Sequence, residues 1–331
     1  MASWIDTLVA KGVQDLVFVN RHWSIDLRLP TTLFSCASLT RLCLGVFMLP
    51  DTAAVSHGAR FPNLRELILC LNTMEERDLA FLLERSPVLE FLFIMGNQAG
   101  GVRLRLASHS LRCVQLGFSF SEDIDVLRPC TTQPRIKNGA SRIKIGRAPN
   151  LRVLGYLQPG GQELGISNTV IMAGNKENTA PSVQILAMVV QFGVRSAVKK
   201  VPDFLRCFPD LGTLHVHEIG PQEDGPIKCV VQSMKKVFFY EFRGSRSEVA
   251  FLKFIAERGR VLEQVVVVVA EECFSPGDDG MNNKSCKLQL FKSPFTGGGG
   301  PAYCHQIAAD FGFADPFDLQ YYYKAERIPV S

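Results

Sequence analysis

Hydrophobic positions along this chain recur in one phrase, Pro-x-Leu-x-x-Leu-x-apolar. It stands at Pro62-Asn63-Leu64-Arg65-Glu66-Leu67-Ile68-Leu69 and again at Pro87-Val88-Leu89-Glu90-Phe91-Leu92-Phe93-Ile94. Looser copies begin at Pro149, Pro181 and Pro209 and carry Leu151, Val183 and Leu211. Without the proline, the same apolar triplet fits Val13/Leu16/Phe18, Leu39/Leu42/Leu44, Leu111/Val114/Leu116, Met234/Val237/Phe239 and Leu262/Val265/Val267.

The last two apolar positions of each triplet lie two residues apart, so on a strand they share one face and must be buried. Leu64 enters the core where the chain turns into the strand. Asn72 and Asn97 follow at the ninth position of the unit, where an amide side chain satisfies backbone groups of neighbouring coils. The return leg is helical. Residues 77–85 carry Leu79, Leu82 and Leu83 at helical spacing, Glu75, Glu76 and Asp78 precede or open it, and Pro87 stops it. Residues 204–216, broken at Pro209, and residues 248–267, broken at Gly259, repeat the helix, break and strand order. Full copies start about 25 residues apart, a leucine-rich-repeat period. The expected fold class is therefore α/β, a curved leucine-rich-repeat solenoid of about ten irregular repeats, with strands on the concave side and helices on the convex side.

The array is uneven. Between Leu111 and Leu151 there is room for a further repeat, but residues 127–139 read as a loop or a damaged repeat. Residues 163–180 and 275–285 read as loops, and Gly297-Gly298-Gly299-Gly300 as a turn without the Lys-Ser/Thr of a phosphate loop.

The chain has 331 residues, 47% hydrophobic and 21% charged, enough apolar matter for a core. A net charge of +4 with basic runs no longer than pairs gives no argument for nucleic acid or an anionic membrane as partner. No apolar run reaches bilayer-spanning length, and the first residues lack the pattern of a secretory signal. The 10 cysteines are scattered and form no Cys-x-x-Cys, so they read as reduced thiols, and Asn283-Lys284-Ser285 reads as a chance glycosylation triplet.

If each triplet's leucines face inward, the residues between them face the open side. That gives Arg41 and Cys43; Glu66, Ile68 and Cys70; Phe91, Phe93 and Met95; Cys113 and Gln115; Thr213, His215 and His217; and Lys236, Phe238 and Tyr240. Phe91, Phe93 and Met95 form the patch expected to contact a partner, so an Asp at Phe91 or Phe93 is expected to weaken binding with little loss of fold. Val266 and Val268 are apolar at both parities and are expected to lie under the C-terminal segment. His215-x-His217 lacks a third ligand at suitable spacing, so no metal is expected and the pair reads as partner-facing. No hydrolase elbow, zinc-protease helix, P-loop or dinucleotide fingerprint is present; no enzyme activity and no cofactor are expected.

Longer phrases carry a family likeness. Arg77-Asp78-Leu79-Ala80-Phe81-Leu82-Leu83-Glu84-Arg85-Ser86-Pro87-Val88-Leu89-Glu90, Ser110-Leu111-Arg112-Cys113-Val114-Gln115-Leu116 and Phe204-Leu205-Arg206-Cys207-Phe208-Pro209 resemble plant F-box/leucine-rich-repeat proteins, particularly of grasses. Glu241-Phe242-Arg243-Gly244-Ser245-Arg246-Ser247-Glu248 and Phe251-Leu252-Lys253-Phe254-Ile255-Ala256-Glu257-Arg258 resemble the FBD domain that closes them. The resemblance implies repeats over residues 1–225 and an FBD-like cap over 226–331. It also implies the role of a substrate receptor of a Skp–cullin–F-box ubiquitin ligase in the cytoplasm and/or nucleus. The repeats begin by about Val13, and Leu29-Pro30 is not followed by a helical run, so no F-box is recognisable. The target protein is unknown, and the Skp adaptor and cullin are partners only if docking persists without that module. The alternatives are a decoy or scaffold repeat protein, a truncated gene product, and less so a small-molecule receptor.

Overall fold

The computed structural model describes residues 2–20, 27–52, 55, 60–97, 102–117, 141–159, 162–166, 169–170, 179–190, 195–218, 230, 232–270, 273, 282–283, 286–292 and 315–317. Residues 127–139 and 297–300, and most of 275–285, lie outside them, as does part of the triplet at Asn283. The chain divides into two compact units, Met1–Leu151 and Arg152–Ser331.

The first unit runs α1 (Ala2–Ala10), β1 (Asp15–Val19), a 3-10 turn (Thr31–Ser35), β2 (Arg41–Gly45), β3 (Glu66–Asn72), α2 (Glu76–Arg85), β4 (Phe91–Asn97), β5 (Arg103–Leu106), β6 (Cys113–Gly117) and β7 (Ser141–Ile145). Strands β1, β2, β3, β4 and β6 lie side by side in that order, all parallel. Their register places Leu16, Leu42, Leu67, Leu92 and Val114 in one row, and Phe18, Leu44, Leu69, Ile94 and Leu116 in the next. Apart from the half-buried Phe18, which stacks on Phe47, both rows are buried. Each strand alone would expose its leucines, so the repeats are stable only as neighbours. Strands β5 and β7 pair in parallel outside this ladder.

Helix α2 begins with a capping box, Asp78 accepting from the Glu75 N–H at 2.8 Å, and buries Leu79, Leu82 and Leu83. Asn72 is wholly buried. Its side chain accepts from the Phe47 N–H and donates to the Leu44 carbonyl, each at 2.9 Å. Asn97 bridges both backbone groups of Met74 in the same manner. A third asparagine, Asn20, donates to the Val46 carbonyl. Val46, Leu71 and Gly96 stand at one repeat position and all have positive φ. Glycine takes that left-handed turn freely, whereas valine and leucine are strained there.

The second unit runs β8 (Val153–Leu157), β9 (Gln162–Ile166), β10 (Thr169–Val170), β11 (Ile185–Val190), α3 (Arg195–Arg206), β12 (Thr213–Glu218), β13 (Lys236–Phe242), α4 (Arg246–Arg258), β14 (Gln264–Val269), β15 (Asn282–Asn283) and β16 (Cys286–Lys292). Strands β8, β11, β12, β13, β14 and β16 form a parallel sheet in that order, with β15 antiparallel on the edge of β16. One row contains Leu154, Leu186, Leu214, Val237, Val265 and Leu288. Residues 163–180, expected as a loop, contain the antiparallel pair β9 and β10. Helix α4 opens at Ser245, and Glu248 reaches back to the Ser245 and Arg243 N–H groups. That capping box gives a physical reason for the Ser-Arg-Ser-Glu phrase.

Strands β3, β4, β8, β11 and β13 are buried at nearly every position, on both faces. A single solvated face was expected. The difference follows from composition: these strands are apolar at both parities, the pattern of parallel strands covered on two sides.

Candidate functional site

The residues between the buried leucines do line up as one face. Arg41, Glu66, Phe91 and Cys113 occupy one cross-strand row, and Cys43, Ile68, Phe93 and Gln115 the next. What differs is their exposure. Glu66, Ile68, Phe91 and Phe93 are buried; Phe93 keeps 1% of its surface. The exposed Phe91/Phe93/Met95 patch is therefore corrected: the two rings are core, and Met95 is half-buried, its side chain against Gly117. Arg41, Met95 and Gln115 remain partly reachable.

Arg41 ties this face together. Its Nε donates to Glu66 Oε2 at 2.7 Å and its Nη1 to Asp15 Oδ2 at 3.0 Å. Burial pushes the Glu66 carboxyl up, and the Arg41 charge and hydrogen bond only partly offset this. Glu66 Oε1 is buried without a hydrogen-bond partner. Next to this pair, the Cys70 thiol is pushed up by its hydrogen bond with Cys43 and by burial, which keeps it in the neutral, unreactive form.

The second face is built of rings. Register sets His215 beside Ala187 and Phe238, and His217 beside Val189 and Tyr240. The His215 ring stacks on Phe238 with centroids 4.5 Å apart, and the His217 ring on Tyr240 at 4.4 Å. Tyr156 meets His217 edge-on at 5.2 Å. His215, His217, Phe238 and Tyr240 are all buried, so the partner-facing reading of the two histidines is also corrected. Lys236, at the start of the same strand, stays exposed.

The residues that close this face are the chain's own Asp315, Pro316 and Phe317. Asp315 Oδ2 lies 3.0 Å from His215 Nε2. His215 Nδ1 lies 3.1 Å from the Tyr240 hydroxyl, which donates to the Phe317 carbonyl at 2.8 Å. Asp315, His215, Tyr240 and the Phe317 carbonyl thus form one hydrogen-bonded chain. Burial pushes Asp315 up, but the His215 charge and hydrogen bond, the Phe317 N–H and Lys236 outweigh it and hold the carboxyl below its usual range. The Phe317 ring packs edge-on against Tyr156 at 5.1 Å and lies over Gly155, where a Cβ would come within 2.5 Å of it.

His217 differs from its neighbour. Neither ring nitrogen has a hydrogen-bond partner, and burial, followed by the charge of His215, pushes it down to about 3. It is a neutral aromatic slab at any ordinary pH. Among the described residues no three His, Cys, Asp or Glu side chains converge as metal ligands, and no helix is long and apolar enough to cross a membrane.

Sequence reasoning found the histidines, Phe238 and Tyr240 but missed Gly155, Tyr156, Asp315 and Phe317. A glycine inside the strand phrase Val153-Leu154-Gly155-Tyr156-Leu157 was the available signal, since it marks a close approach.

Comparison with known proteins agrees with this architecture. Residues 222–267 match the FBD family. The chain is similar to the FBD-associated F-box protein At4g13985 of Arabidopsis thaliana, 31% identical over 140 residues, which are 40% of this chain and 28% of that protein. It is also similar to the putative FBD-associated F-box protein At1g05080 of the same plant, 38% identical over 92 residues, 26% of this chain and 20% of the relative. The matched stretches thus span under a third of these relatives' length. No solved structure matches. Residues 1–216, well over half of the chain, match the repeats of FBD-associated F-box protein At5g56370, and the chain belongs to that family of leucine-rich-repeat proteins.

Proposed function

We propose that this chain is a protein-recognition module, the substrate-binding part of a receptor in a Skp–cullin–F-box ubiquitin ligase. The observation that carries the reading is the repeat match over residues 1–216, followed by FBD at 222–267. The names of the relatives, FBD-associated F-box proteins, support the ligase context. In this reading the parallel strands line the concave side of a curved solenoid, the helices its convex side, and residues 226–331 cap it. The grass-type likeness of residues 77–90 and 110–116 belongs to the same reading. The chain holds a target and catalyses nothing itself. It works by proximity, keeping a lysine of the target near a ubiquitin-conjugating enzyme. A location in cytoplasm and/or nucleus follows from that role, and the Skp adaptor and cullin are partners only if this chain retains adaptor docking. With most of the strand face buried, Arg41, Met95 and Gln115 of the first unit are the residues first considered that stay within reach of a target.

The test is affinity capture of the intact chain from plant extract, with the Skp adaptor and cullin probed directly. Recovery of both with the folded chain, and not with a heat-denatured control, shows that adaptor docking persists and supports the ligase reading. Specific recovery of another protein without adaptor or cullin overturns the ligase reading and leaves a decoy or scaffold.

A further inference from the structure

A short piece of this chain is bound to the second unit as a ligand would be. Asp315 and Phe317 meet groups dedicated to them. His215 is fully buried, and its Nε2 faces the Asp315 carboxylate at 3.0 Å. A buried histidine is uncommon unless both nitrogens are satisfied, and here Asp315 satisfies one of them. Tyr240 supplies a hydroxyl to the Phe317 carbonyl, a main-chain contact that fixes position without reading the side chain. Gly155 leaves space for the ring, Tyr156 gives it an edge-on partner, and His215 a tilted face at 5.3 Å. Lys236 adds positive charge on the Asp315 side. Charge, hydrogen bonding and shape all select an acidic residue two positions before an aromatic one.

The bound piece also shapes itself. Asp315 Oδ1 accepts from the Phe317 N–H at 3.0 Å, and Pro316 fixes the backbone between them. A peptide that preforms its own turn loses little entropy on binding, so the contact does not depend on covalent attachment to the rest of the chain.

We propose that this seat is a recognition site for an Asp-x-Phe peptide, occupied in cis by residues 315–317, which a partner segment with the same spacing must displace. The inference does not depend on the ubiquitin-ligase reading, since it needs only a peptide and this unit. A seat closed by its own chain binds an outside peptide more weakly, in proportion to the fraction of time it stands open.

The test uses the full chain and a synthetic peptide of residues 313–319, Phe-Ala-Asp-Pro-Phe-Asp-Leu. Binding is measured by titration calorimetry to the intact chain and to an Asp315→Asn/Phe317→Ala double variant, each checked for fold by circular dichroism. The expected result is affinity about tenfold or more higher for the folded double variant than for the intact chain. The same peptide with Asn for its Asp, or Ala for its Phe, is expected to bind the variant about tenfold more weakly. A folded double variant that does not bind the peptide overturns the proposal, because residues 315–317 are then only a structural strap. Binding indifferent to the peptide's Asp and Phe overturns it too. Should the double variant unfold, Asp315→Asn alone removes only the charge; a folded single variant must gain peptide affinity over the intact chain, and equal affinity overturns the proposal.

Discussion

Lowering the pH from about 8 to about 5 costs this protein about 2 kcal/mol of stability through His217 alone. The folded value is pushed down to about 3 by burial and by the neighbouring His215, while an unfolded chain titrates near 6.5. The sign follows from which state takes the proton. Below about pH 6.5 the unfolded chain binds it and the folded chain refuses it, so stability present above that value is lost as pH falls toward 3. Each unit is worth about 1.36 kcal/mol, which gives about 2 kcal/mol at pH 5 and about 4 kcal/mol at pH 3, where the folded histidine is itself half protonated. His217→Phe isolates the effect. The ring stack on Tyr240 is kept, and no hydrogen bond is lost, because neither ring nitrogen has one. The assay is urea denaturation of both proteins at the two pH values. Glu66 works in the opposite direction, since its raised carboxyl gains stability as pH falls, but it is common to both proteins and cancels in the difference. The variant should lose about 2 kcal/mol less than the wild type on acidification. Equal losses in the two proteins would refute the reasoning, and would mean that His217 is protonated or solvated in the folded state.

Further outcomes follow from the same structure. Asn72→Ala strands the Phe47 N–H and the Leu44 carbonyl in the core and should cost about 2–4 kcal/mol by chemical denaturation, whereas Asn63→Ala, whose bond to the Ala37 carbonyl is exposed, should cost under about 1. Arg41→Ala leaves the buried Glu66 carboxylate without its partner and should cost about 2–3 kcal/mol, most of it recovered in Arg41→Ala/Glu66→Leu. Phe93→Asp should lower the thermal midpoint steeply or abolish folding, since it places an unpaired charge where the ring keeps 1% exposure; a folded variant would return that ring to the surface.

Much of the ladder was legible from sequence. Ten strands, β1 to β4, β6, β8 and β11 to β14, fall on the triplets, because a lead residue followed by two apolar positions at period two encodes both turn and strand. Strands β5 and β7 lack the lead residue, and β16 has only its alternating Leu288 and Leu290, so the phrase does not find them. Asn20 was missed because the left-handed residues Leu71 and Gly96 insert one position before the asparagine in later repeats. The buried second face was misread by assuming polar alternation, although Phe91, Phe93 and Ile68 already broke it. Gly155 hints at a close approach, but that Asp315 and Phe317 fill it was not legible. Asp315 lies 100 residues from His215, and no local spacing encodes a contact of that span.

The most direct measurement for recognition by this repeat array is calorimetric titration of the purified intact chain with the protein recovered by affinity capture. Saturable binding at one target per chain, lost when the chain is unfolded by the Phe93→Asp change, is the predicted result. No binding between the two purified proteins, with the chain demonstrably folded, would contradict it.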